Sequence, residues 1–138
     1  MRYCCVQVVS VGSAAVLLFA VGYVIAQAAA PPPAQGVVER ELQSIDLGTH
    51  FEAMRGKRML LAHAVIEPGA RGSLHSHRGW PEVVYILKGV LTEHQGGTAT
   101  DYGPGESFVS NTDPGLPHQI ENRGSVAVEA VLVEIPVR

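Results

Sequence analysis

After Pro33 the chain is cut by glycine and proline into pieces too short for ordinary helices, and this punctuation constrains its fold more than any other feature. The breaks fall at Glu67-Pro68-Gly69, Gln95-Gly96-Gly97, Gly103-Pro104-Gly105, Asp113-Pro114-Gly115 and Arg123-Gly124. Between them lie runs rich in Val, Ile, Leu and Thr, which suit a pleated, half-buried surface. Strands are expected over residues 58–67, 73–78, 82–88, 90–95, 107–110, 118–122 and 126–137. A single turn of helix is expected within 51–57, and no stretch after Pro33 has a convincing helical apolar period. Many short strands at this spacing predict an all-β sandwich or barrel.

Two of these pieces carry metal-competent side chains. The first reads Gly69-Ala70-Arg71-Gly72-Ser73-Leu74-His75-Ser76-His77-Arg78-Gly79-Trp80-Pro81-Glu82, followed by an apolar run closed by Lys88 and Gly89; the second supplies His118. On an extended chain side chains alternate, so His75 and His77 point to one side, as a chelate requires. Glu82, brought back at the head of the next strand, adds an anionic oxygen. His118 completes a mixed nitrogen and oxygen set suited to a first-row transition metal. His50, His63 and His94 have no partner at ligand spacing.

This pattern resembles the cupin family, whose first motif is Gly, five residues, His-x-His, three or four residues, Glu, six residues and Gly. Gly69, His75, His77, Glu82 and Gly89 match its fixed positions. The second motif is looser: Gly105 opens it, His118 and Asn122 close it, and the stretch between runs two residues longer than the family pattern. The resemblance covers about residues 40 to 138. It implies a single-domain jelly-roll β-barrel and, with an open sheet edge, a homodimer.

Charge and composition exclude other classes. Ten Lys and Arg against thirteen Asp and Glu give a net charge of −3 with no basic run. Nucleic acid is therefore not an expected partner, and the mature domain is not expected on a membrane surface. Neither a nucleophile elbow nor a phosphate-cradling loop is present.

The N-terminus predicts export. Arg2 precedes an almost wholly apolar run from Val6 to Ala26, and small residues around Ala28 to Ala30 offer a cleavage site. The expected organisation is a signal peptide helix over 1–28, a Pro-rich linker over 29–39 and the barrel domain over 40–138, in the periplasm or secreted. The alternative is an uncleaved anchor helix, since the run approaches the roughly 20 residues that span a bilayer. Both cysteines, Cys4 and Cys5, precede the cleavage site, so the mature chain would have no disulfide and no thiolate ligand.

Period two also predicts the surroundings of the ion. Val84 and Ile86 share the side of Glu82, and Ile120 and Asn122 share that of His118; Trp80 and Phe108 are further candidates to line the pocket. Such a wall excludes water and suits a small organic ligand with an apolar body. Three neutral imidazoles and one carboxylate around a divalent Fe, Mn, Ni or Zn ion leave a net charge near +1, which favours an anionic oxygen donor. The function expected is a metal-dependent enzyme acting on a small oxygenated organic acid or phenolic compound. Dioxygenase-type chemistry is favoured slightly over lyase or isomerase, and no general base can be named. The alternative is a non-catalytic protein that captures a small ligand through the same ion.

Overall fold

The computed structural model describes residues 35–110, 113 and 115–136. The expected signal peptide and the first part of the linker lie outside the described residues. Eight strands follow one another: β1 (Gln35–Asp46), β2 (Arg58–Arg71), β3 (Glu82–Lys88), β4 (Leu91–Gln95), β5 (Thr98–Tyr102), β6 (Ser107–Val109), β7 (His118–Glu121) and β8 (Val128–Glu134). Two single turns of 3-10 helix, Leu47–Thr49 and Glu52–Met54, connect β1 to β2. The second falls within the expected helical turn at 51–57.

The strands pair in the order β5-β4-β7-β2-β8-β3-β6, with β1 added on β2. All these pairings are antiparallel, and they wrap into a nearly closed barrel of the jelly-roll kind. Alternation decides what faces inward. In β3, Glu82, Val84 and Ile86 are buried and Val83 and Tyr85 exposed; in β8, Val128, Ala130, Leu132 and Glu134 are buried. The apolar ones among them meet Ala62, Ala64 and Ile66 of β2, with Leu91 and Phe108, in one apolar core. Tyr102 stacks on Phe108 with ring centroids 4.4 Å apart.

Three features differ from the sequence expectation. The break at Glu67-Pro68-Gly69 is a bulge inside β2 and not a turn between strands. Against β1 the register jumps from Val37 opposite Ile66 to Gln35 opposite Arg71, and Gly69 takes φ +75°. The bulge swings the end of β2 away from β8 and onto β7, where Arg71 pairs with Glu121. Residues 73–78 form no strand; only His75 touches the sheet, through a two-hydrogen-bond bridge to His118. Finally, β1 takes in residues 35–39 of the expected linker, and β5 was not anticipated.

Candidate metal centre

The bridge between His75 and His118 brings the β2–β3 loop onto the head of β7. The N–H of His75 donates to the carbonyl of His118 at 3.1 Å, and the N–H of His118 donates back at 2.8 Å. With their backbones locked, the imidazoles of His75, His77 and His118 turn toward one point: the Nε2 atoms of His75 and His77 lie 2.9 Å apart, as do those of His77 and His118. The three centroids are 4.7 to 4.8 Å from one another. His77 and His118 are 1% exposed, so water does not solvate them.

The opposite ring nitrogens fix the protonation. His75 Nδ1 meets the carbonyl of Ser73 and His77 Nδ1 the carbonyl of Trp80, both at 2.9 Å. A carbonyl oxygen only accepts, so each Nδ1 carries the hydrogen and each Nε2 presents a bare lone pair. His118 Nδ1 meets the buried carboxylate of Glu93 at 2.8 Å and is fixed in the same way. Burial, with His118 and His75 nearby, pushes the His77 pKa down to about 4, so this ring is neutral at physiological pH. Lone pairs facing each other at 2.9 Å cannot hydrogen-bond. They can together hold a cation, and the three residues form a group able to bind a metal ion. Nitrogens on ~2.1 Å bonds meeting at right angles are about 3.0 Å apart, against about 3.4 Å in a tetrahedron. The two observed separations, His75 to His77 and His77 to His118, are close enough for a shared ion.

Glu82 stands one step back from this group. Its Oε1 is 3.8 Å from His77 Nε2 and accepts a hydrogen bond from Ser110 Oγ at 2.7 Å. Burial, with Glu134 and Glu39 adding to it, pushes its pKa up to about 7. Although the His77–Glu82 distance is within ion-pair range, burial drives both groups toward their neutral forms, and 3.8 Å is too long for a hydrogen bond.

A cavity of about 300 Å³ opens beside the histidines. Of the residues expected there, Trp80, Val84, Phe108 and Ile120 line it, together with His75, His118 and Glu82. Trp80 also packs on the His77 ring, centroids 5.1 Å apart, and donates from Nε1 to Glu134 at 2.6 Å. Two expectations are corrected. Ile86 is fully buried in the core and does not border the cavity. Asn122 does not either: its Nδ2 donates to the carbonyls of Ile66 and Val126, and its Oδ1 accepts from the N–H of Gly124. It ties the β2 bulge to the turn after β7.

His63 and His94 lie apart from the group, His94 hydrogen-bonded to Glu121 at 2.8 Å and His63 3.7 Å from Glu129. What the sequence does not reveal is the role of Glu93: like Glu67 and Glu121 it could be an acid or base residue, but a strand-end carboxylate is usually just solvated. Its role follows from the pairing of β4 with β7, which places Glu93 opposite Ile120, and nothing local in the sequence announces that pairing.

Comparison with known proteins agrees with this architecture. Residues 62–134 match the model of the Cupin domain family. An oxalate-binding protein of Thermotoga maritima is 38% identical over 84 residues, which is 61% of this chain and 68% of the relative. The crystal structure of a predicted oxalate decarboxylase from Thermotoga maritima superposes with a TM-score of 0.57 at 26% identity, covering 79% of this chain and 95% of that one. A polyketide cyclase from Streptomyces resistomycificus shares the fold, with a TM-score of 0.59 at 24% identity over 78% of this chain and 73% of that one. A jelly-roll barrel, three histidines converging beside an inner cavity and a family match over most of the barrel give one conclusion: the chain belongs to the Cupin domain family.

Proposed function

We propose that the protein is a metal-dependent cupin that takes a small organic acid or phenol through an oxygen donor and acts on it. The observation that carries this reading is the set of facing Nε2 lone pairs, each fixed by an acceptor on Nδ1. His75, His77 and His118 would hold the ion, with Glu82 as the fourth ligand. Iron, manganese, nickel and zinc all take such a set of imidazole and carboxylate donors. When bound, such an ion supplies Lewis-acid polarisation of a ligand oxygen and, if redox-active, one-electron chemistry.

The chain's own residues define the rest. Val84, Phe108, Ile120 and Leu132 offer an apolar wall to the body of the ligand and keep water from it. Trp80 covers the histidines from the side of the loop. Among the residues that line the cavity there is no Lys or Arg, so the positive charge that attracts an acid would come from the metal centre itself.

A second reading has its own support: the 38% identical relative is an oxalate-binding protein, which favours capture without turnover. One experiment separates the two. The protein is loaded in turn with iron(II), manganese(II) and nickel(II), and titrated with a panel of carboxylic acids and phenols, under air and without oxygen. Binding with product formation supports the enzyme, with oxygen consumption marking the dioxygenase type. Binding without turnover supports capture, and metal loading with no binding across the panel contradicts both.

A further inference from the structure

Glu39 sits on β1 opposite Ala64, an exposed residue that is also part of the cavity lining. Three other carboxylates around the site each accept a hydrogen bond from the protein: Glu82 from Ser110, Glu93 from His118 and Glu134 from Trp80. Among the described residues Glu39 accepts none. No ion pair joins Glu39 to a cation among the described residues. The cavity wall and the nearby Glu134 raise the Glu39 pKa.

On the reading of this cavity as an acid-binding site, we infer that Glu39 is a specificity-determining residue. It selects ligands that carry a hydrogen-bond donor, a hydroxyl or an ammonium group, in addition to the oxygen that faces the histidines. It also disfavours longer dicarboxylates, whose second carboxylate lies too far from the first to share the ion and would meet Glu39 in a wall without Lys or Arg. The ligand class is thus narrowed to hydroxy or amino acids, or polyhydroxylated phenols, with an apolar middle.

The test uses the full chain loaded with nickel(II) and calorimetric titration with acids of five to seven carbons. Each length is offered as the plain acid, the ω-hydroxy acid, the ω-amino acid and the diacid. At one or more lengths the hydroxy or amino member should bind about three- to tenfold tighter than the plain acid, a charge-assisted contact discounted for partial exposure. The diacid should bind more weakly than the plain acid. Glu39→Gln should erase the amino advantage and narrow the diacid penalty while plain acids bind as before. The inference is overturned if the unaltered protein ranks plain acids or diacids first at every length, or if Glu39→Gln keeps the original ranking. Metal loading with no binding of any acid would instead remove the acid-binding reading beneath it, and the inference with it.

Discussion

At the residue scale, the site is built from pairs in which a second group decides what the first can do. Glu93 holds the Nδ1 hydrogen of His118 and thereby frees its Nε2. Glu93→Ala should therefore weaken metal binding about 10- to 100-fold, measured by competition with a chelator, while the barrel stays folded. Unchanged affinity would mean that Glu93 does not orient the ring. Glu82 gives a prediction for the metal-free protein. Burial raises its folded pKa to about 7 from an ordinary carboxylate value near 4.5. The folded state therefore binds this proton more tightly than the unfolded state. That contribution is complete below about pH 4.5 and is lost as pH rises through 7. Glu82→Gln, which keeps a neutral side chain, should gain stability relative to the unaltered protein between pH 4.5 and 8 in urea titrations. A difference independent of pH would contradict it. The convergence of His75 and His77 was legible because their spacing is fixed in the chain, and that of His118 from the family pattern. Glu93, Ser110 and Glu39 were not, because their partners come from strands distant in sequence.

At the scale of elements, two devices bring the ligand histidines together: the His75–His118 bridge and the bulge at the end of β2. Asn122 clamps the bulge with side-chain bonds to Ile66, Val126 and Gly124, while its backbone bonds Ala70 and Gly69. Asn122→Ala would leave the buried Ile66 carbonyl unpaired and open a gap at a fully buried position, and should cost roughly 2–4 kcal/mol of stability by denaturant titration. A cost under about 0.5 kcal/mol would show that water replaces the clamp. Gly89 shows why a motif glycine is fixed: at φ +75°, an added Cβ would lie 3.0 Å from Ala127 O and Val128 Cα. Strands with inward apolar residues, such as β3 and β8, were readable from alternation. The sequence of β1, exposed along nearly its whole length, and the polar Thr98–Tyr102 of β5 carry no such signal. Both have a strand neighbour on one side only, so backbone pairing holds them more than side-chain burial does.

At the scale of the whole molecule, the barrel turns a string of local motifs into one centre. His75 and His77 come from the loop before β3 and His118 from β7, over forty residues on in sequence, yet the Nε2 atoms of His77 and His118 lie 2.9 Å apart. The all-β barrel could be anticipated from punctuation and the cupin likeness, and the strand order then required coordinates. The central claim is that three imidazoles share one ion. X-ray absorption at the metal edge of the stoichiometrically loaded full chain tests it most directly. About three imidazole nitrogens near 2.1 Å, with oxygen filling the remaining positions, is the predicted result. A spectrum without imidazole scattering, or one that His118→Ala leaves unchanged, would contradict it.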